Sequence, residues 1–323
     1  MRKSYKEIYL FGIFIALFIF MSILKPNQFL TIDNLQSMAF QIPELGIFSI
    51  AMMLTMITGG INLSITSITT LSGIISAFVL TSNFSSQQSI LGVIAGVLIS
   101  IITAILCGTL NGIIIAFIGV SPVLATLGTM ILFQGISMDL TKGGAVSGFP
   151  ELFYWFGHES IGIIPVPMII FIVFAVFTAF LLERTEWGSR VYMVGADPIA
   201  TKYSGIDVKK ILMLVYIYSS LLCGVVAILM NSRYNSVRVD YGSSYLLQSI
   251  VAVALGGTNI KGGYGKVAGT FLAVCILQVL SSGFNILGLS RYLVDISMGI
   301  ILLLVLMFNY LAAKIVLKRK STI

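Results

Sequence analysis

Charge is scarce in this chain. Only 10% of its 323 residues are Asp, Glu, Lys or Arg, against 58% hydrophobic residues and a mean hydropathy of +1.04. A water-soluble domain of that length needs far more polar surface to cover itself, so lipid is the solvent for most of it. Histidine occurs once, as His158, which excludes a histidine-rich metal centre and reads as an exposed interfacial residue. The three cysteines, Cys107, Cys223 and Cys275, lie in apolar runs without metal-ligand spacing and read as small hydrophobes in helices. A phosphate-binding loop is also lacking: Gly265–Lys266 is followed by Val267, and no glycine stands at the required upstream position. No serine–histidine–acid set, paired-carboxylate site or metal cluster suggests catalysis. The chain therefore reads as a non-enzyme that cannot hydrolyse ATP by that route.

What the chain has is one apolar run after another. A helix needs roughly 17–25 apolar residues to cross the hydrocarbon core. Barrel strands would alternate polar and apolar residues, whereas Met168–Leu182 and Ile211–Met230 are apolar on consecutive positions. Candidate helices are Ile8–Leu24, Met38–Thr58, Leu63–Leu80, Ile90–Ile118, Pro122–Leu140, Ile163–Leu182, Ile211–Met230, Leu246–Leu255, Val267–Phe284 and Tyr292–Ile315. The expected fold is an all-α polytopic transmembrane bundle of about ten crossings, some short or broken, forming one domain over residues 1–323. The first run follows Arg2, Lys3 and Lys6 as in a signal peptide. Lys25, Pro26 and Asn27 replace a small-residue cleavage site, so it reads as a retained helix.

The net charge of +7 is concentrated at the two ends and in one central loop. That pattern orients a membrane protein and does not read as a nucleic-acid footprint. Lys314, Lys318, Arg319 and Lys320 join the N-terminal cluster, and Arg184, Arg190, Lys202, Lys209 and Lys210 fill the loop over residues 183–210. Ten crossings put all three basic regions on the cytoplasmic side and the loop Asp139–Gly162 outside. A re-entrant Leu246–Leu255 would flip that parity, so this segment is read as a short or broken crossing. Irregular backbone at that depth must be covered by protein or line a water-filled cavity. It marks either a permeation path or a packing irregularity.

Two stretches break a helix at a glycine pair and then offer an amide: Gly59, Gly60, Ile61, Asn62 and Gly256, Gly257, Thr258, Asn259. Gly262 and Gly263 follow the second. Tight packing and turns outweigh direct substrate contact as the reading of these glycines. Charges inside the runs are few, Glu44 near one helix start and Asp295 near another's end. The polar residues there are mostly neutral, among them Thr66 and Gln134. Asn62, Ser64, Asn111, Thr126 and Gln248, with Asn259, are the candidates for a translocation path suited to a neutral, hydroxyl-rich solute. Such residues also join helices to one another. In the 183–210 loop, Asp197 can N-cap, Pro198 fits the first helical position and Gly205 stops the turn. This two-turn helix is either a knob for a soluble partner or an amphipathic surface helix.

With these residues in place the chain resembles the permease subunits of ABC importers for simple sugars, the ribose, xylose, galactose and rhamnose group that includes autoinducer-2 importers. The resemblance covers nearly the full length. It rests on Gly59-Gly60-Ile61-Asn62-Leu63-Ser64, Asn111-Gly112, Pro122 through Thr129, Gly195–Ile206, and Gly256-Gly257-Thr258 with Gly262-Gly263-Tyr264-Gly265. Gly148-Phe149-Pro150 and Pro165-Val166-Pro167 look most like the autoinducer-2 and rhamnose branch. The resemblance implies that Gly195, Ala196, Asp197, Pro198, Ala200, Thr201, Ser204, Gly205 and Ile206 form a coupling helix docking on a separate ATPase, which binds the ATP and Mg. It further implies an external solute-binding protein, a second permease (identical or homologous) and the bacterial cytoplasmic membrane. The family commonly has an aspartate where this chain has Asn62, and acids in the stretch matching Leu246 and Gln248. The competing reading is a self-sufficient ion-coupled secondary transporter, against which the sparse intramembrane charge argues.

Overall fold

The computed structural model describes residues 5–82 and 90–290, with scattered positions between 292 and 307. Most of the candidate helix Tyr292–Ile315, including Asp295, lies outside the described residues, as do the basic C-terminal tail and Arg2 and Lys3. Helices α1 (Tyr5–Leu24), the single turn α2 (Pro26–Phe29), α3 (Ile32–Ile57), α4 (Ile65–Leu80), α5 (Ile90–Gly112) and α6 (Pro122–Thr141) form the first half. A π-helical turn, Ile113–Ile118, extends α5. Then come α7 (Trp155–His158), α8 (Val166–Arg184), α9 (Glu186–Ala196), α10 (Pro198–Tyr203), α11 (Val208–Tyr234), α12 (Ser243–Leu255) and α13 (Val267–Ile286). Among the described residues seven helices are long and apolar enough to cross a membrane, with α4 and α12 shorter. This is an all-α polytopic bundle.

The segments meet at two ends. At one, Lys266 before α13 pairs with Glu7 of α1, the last carbonyl of α3 meets Gly263, and Gly60 lies against Pro122 of α6. At the other, Tyr234 of α11 reaches α3, and β1 (Val146–Ser147) pairs antiparallel with β4 (Ser236–Val237). The segment between α6 and α8 also holds a 3-10 turn, Glu151–Tyr154, and a hairpin of β2 (Ser160–Ile161) with β3 (Ile164–Pro165). His158 is exposed there, its ring edge-on to Tyr154.

Close helix approach is made by small residues. A Cβ at Gly108 of α5 would lie 2.6 Å from Ser220 and 2.8 Å from the Tyr216 carbonyl of α11. One at Gly224 would lie 2.9 Å from Ala104. Hydroxyls then bond to the neighbouring backbone: Ser100 donates to Gly224, Ser219 to Ala51 and Ser76 to Gly96. Without water between helices, packing and such bonds hold them together. The outward faces of α6 and α8 are apolar, as at Leu124, Ile131, Val176 and Phe180. Cys107 and Cys223 are buried and Cys275 partly so, all three free.

Helix α3 departs from the expectation of Met38–Thr58. It starts at Ile32, where the Thr31 hydroxyl accepts the Asn34 N–H at 3.3 Å. Pro43 and Glu44 therefore sit inside the helix, not near its start. Pro43 has no N–H, so the Ala39 carbonyl loses its helical partner. Arg233 Nη1 donates to the adjacent Phe40 carbonyl at 3.2 Å and to Glu44 Oε1 at 2.9 Å. The phenols of Tyr234 and Tyr245 donate to Glu44 Oε2 at 2.9 and 2.7 Å. Glu44 is 1% exposed, and a carboxylate at such a place persists only when paired and hydrogen-bonded.

Replacing Arg233 by Leu strands the Glu44 charge and is expected to destabilise the protein by about 3 kcal/mol. The double replacement Glu44→Leu with Arg233→Leu should recover part of that loss. Thermal unfolding of the detergent-solubilised protein checks both; a double variant less stable than Arg233→Leu alone contradicts the assignment.

Candidate functional site

The glycine pairs that read as helix breaks are brought into one junction. Helix α3 ends at Ile57, whose carbonyl accepts the Gly263 N–H at 2.8 Å. Gly59, Gly257, Gly262 and Gly263 all have φ between +78° and +91°, a region that favours glycine. A Cβ at Gly262 would lie 2.6 Å from the Gly195 carbonyl oxygen and 2.9 Å from the Gly59 nitrogen. One at Gly195 would lie 1.7 Å from the Ile57 oxygen, and one at Gly269 2.2 Å from the Gly256 oxygen. Backbone thus touches backbone between the two broken helices and α9. The Tyr192 hydroxyl adds a bond to the Gly265 carbonyl at 2.7 Å. Burial pushes that phenol up to about 12, so it remains a donor. Beside the junction, the hydrogen bond that Lys266 donates to the Glu7 carboxylate holds its ammonium above the ordinary lysine range.

The loop over residues 183–210 is two helices where the residues suggested one. Thr185 caps α9 by accepting the Gly188 N–H, and Gly188, Val191, Val194 and Gly195 form its buried face. Gly195 and Ala196 therefore end α9, with Gly195 buried in the junction. The knob proper is α10. Asp197 Oδ1 accepts from Ile199 and Ala200 at 2.9 and 3.0 Å, and Pro198 opens the helix. Thr201 and Ser204 hydroxyls bond back to the carbonyls of Asp197 and Ala200. Gly205, at φ +79°, ends the helix with nothing within 4 Å of where a Cβ would stand. Ile206 then packs on the core. Ile199 and Tyr203 point out, the latter 89% exposed.

The candidate path residues separate into three places. Asn62, Ser64, Asn111 and Thr126 are all fully buried and form a joint between the start of α4, α5 and α6. Ser64 donates to Asn62 Oδ1 at 2.7 Å, Asn111 to Ser64 Oγ at 2.8 Å, and Thr129 to Asn111 Oδ1 at 2.7 Å. Thr126 accepts the Leu63 N–H and lies 3.0 Å from the Ile61 carbonyl. Asn259 shapes the second glycine turn, accepting from Lys261 and bonding to the Tyr264 carbonyl. Gln248 alone of the six lines the large cavity.

That cavity, about 920 Å³, lies at the end of the bundle away from the glycine junction, among α3, α12, α13 and the end of α11. Its polar lining repeats with helical spacing: Asn34, Ser37 and Gln41 on α3, and Gln278, Ser281, Ser282 and Asn285 on α13. Gln278 donates to Gln41 at 3.1 Å and Ser282 to Asn34 at 2.8 Å. Among the described lining residues Asp240 carries the one charge, and it pairs with Arg238 at 3.2 Å. The sequence reading missed the α3 and α13 stripes; polar residues at i, i+3, i+4 and i+7 within an apolar run are the signal that marks them.

Comparison with known proteins gives a consistent picture. Residues 34–306 match the family described as branched-chain amino acid transport system / permease component. The chain is 34% identical over 303 residues to the ribose import permease protein RbsC of Escherichia coli K12, covering 91% of each. It is 34% identical over 300 residues to RbsC of Bacillus subtilis 168, covering 92% of this chain and 90% of the relative. The autoinducer 2 import system permease protein LsrD of Yersinia enterocolitica is 32% identical over 267 residues, 81% of this chain and 78% of that one. No solved structure matches.

The two glycines that flank the knob should fail differently. Gly195→Ala cannot be placed without moving Ile57 and is expected to cost more than about 2 kcal/mol. Gly205→Ala has open space and only the left-handed φ to meet, about 1–2 kcal/mol. Unfolding midpoints, with trypsin cleavage at Lys202, Lys209 and Lys210 as a local probe, separate them; equal losses contradict the junction.

Proposed function

The chain belongs to the family of permease components of branched-chain amino acid transport systems, and from that premise we propose that it is the membrane subunit of an ATP-driven importer for a small, neutral, hydroxyl-rich solute. One observation carries the proposal. The exposed knob α10 is fixed through α9, backbone against backbone, to both glycine-broken helices. A partner gripping Ile199 and Tyr203 would therefore move Ile57 and the Gly256–Gly265 turns with it. The partner is an ABC ATPase, which binds ATP and Mg and supplies the driving force. Partner binding biases the permease between two packings of its helices.

The solute class rests on the relatives and on the cavity. The relatives are named for ribose and for autoinducer 2 import. A free amino acid is a zwitterion and needs a partner for each charge when desolvated. The cavity offers amides, hydroxyls and tyrosines, with Asp240 its one described charge. That lining supports a monosaccharide or a related sugar derivative over an amino acid. The whole chain acts as one transmembrane domain in a bacterial cytoplasmic membrane, with 183–210 and both termini on the cytoplasmic side by the positive-inside rule. The solute arrives on an external binding protein at the end that bears the cavity. A second permease, identical or homologous, completes the path.

Gentle purification of the chain from its native membrane should bring with it an ATPase bearing a phosphate-binding loop. In proteoliposomes the complex should take up ribose only with ATP, and the permease alone should not. Asp197→Ala and Gly205→Val should leave the complex assembled while ATP hydrolysis continues and uptake falls about tenfold or more. Uphill uptake by the isolated chain, or unchanged uptake in both variants, contradicts the proposal.

A further inference from the structure

The cavity has a wall held from behind by a group that does not line it. Glu44 is buried, yet its Oε2 accepts hydrogen bonds from the phenols of Tyr234 and Tyr245, and both of these residues line the cavity. Arg233 balances the carboxylate at 2.9 Å. Tyr241, also in the lining, stands edge-on to Tyr234 with ring centroids 5.6 Å apart. Tyr245 lies against Phe48 on its other side, centroids 5.7 Å apart. Three tyrosines thus form one wall, and the two bound to Glu44 cannot swing freely. One turn along α12 from Ser244 and Tyr245 stands Gln248, and the bonded amides of Gln41 and Gln278 share the same space.

A pinned aromatic wall beside amides selects a ligand by its chemistry. Ring faces accept C–H groups. Amides both donate to and accept from neutral hydroxyls. An apolar solute would leave the amides unpaired, and a zwitterion would find no cationic side chain among the described lining residues. Fixing the rings before the solute arrives removes an ordering cost at binding. A volume of about 920 Å³ is within the range of small-molecule sites and has room for one monosaccharide with water.

We infer that Tyr234, Tyr245 and Gln248 form a solute-holding site for a monosaccharide-class ligand, with Glu44 as the positioning residue that fixes the two tyrosines. The inference rests on the permease reading for how solute reaches the site, but its test does not.

The test is saturation-transfer NMR on the purified full-length permease in micelles, saturating aromatic protons, with D-ribose as probe and leucine for comparison. Transfer to the ribose C–H protons is expected, with none to leucine. Tyr245→Leu should abolish most of it. Gln248→Leu should keep the transfer and raise the half-saturating ribose concentration about tenfold. Tyr245→Phe keeps the ring but frees it from Glu44, so transfer should persist with a half-saturation raised severalfold; a merely structural Glu44 would leave that value unmoved. Unfolding midpoints identify any variant that fails to fold, in which case Gln248→Leu decides. No transfer to ribose, or the same half-saturation in Gln248→Leu as in the unmodified protein, overturns the site. Ribose binding by a chain that captures no ATPase leaves the site standing and removes the importer reading; an ATPase captured by a chain that shows no transfer does the reverse.

Discussion

A helix that stops in a low-dielectric layer leaves carbonyls that only protein can satisfy. The hydrogen bond from Gly263 to the Ile57 carbonyl answers that demand at the end of α3. Much of the rest follows from it. For one backbone to reach another, side chains must be absent from both, so Gly195, Gly262 and Gly263 meet where any Cβ would collide. The same contacts make a single body of three segments that are far apart in sequence. Helix α9 would otherwise be a short amphipathic helix on a surface; seated in this junction, it becomes the stem of α10.

The interior is polar where helices join and neutral where it opens. Hydroxyls and amides tie α4, α5 and α6 through Asn62, Ser64, Asn111 and Thr129, all buried. Glu44, the buried acid among the described residues, is matched by a guanidinium and two phenols. An ion-coupled carrier would keep its acids and bases available to the passing ion. Here the carboxylate is committed to holding neighbouring side chains in place.

Much of this was legible in the residues, and what was not has identifiable causes. Apolar runs of membrane length read directly as helices because length alone decides them. The knob was legible because its grammar is local: an Asp cap, a Pro at the first position and a stopping Gly. The start of α3 was not, because its first turns, with Asp33, Asn34, Gln36 and Ser37, are polar and precede the apolar run that opens at Met38. Helix α9 was hidden by its charged neighbours, although Val191 and Val194 carry its buried period. The breaks at Gly59 and Gly256 were visible as breaks, but nothing in either stretch says that they meet each other and Gly195. The same holds for Asn62 and Asn111, whose mutual bonds through Ser64 depend on a tertiary approach. The stripe of Gln278, Ser281, Ser282 and Asn285 did carry a readable period, submerged in an apolar average.

Helix α3, like α12 and α13, runs from the cavity to the glycine junction. Its first turns carry Asn34, Ser37 and Gln41 in the cavity wall, and its last residue is clamped beside the stem of the knob. Between them Pro43 removes one rung from the helical ladder. Proline is a common site of helix bending, so Pro43 is the point at which the cavity-bearing turns and the clamped turns of α3 are least tightly joined by their own ladder. The Arg233 guanidinium bonds to residues on both sides of Pro43, Phe40 and Glu44, and so ties the two lengths of α3 from outside the helix.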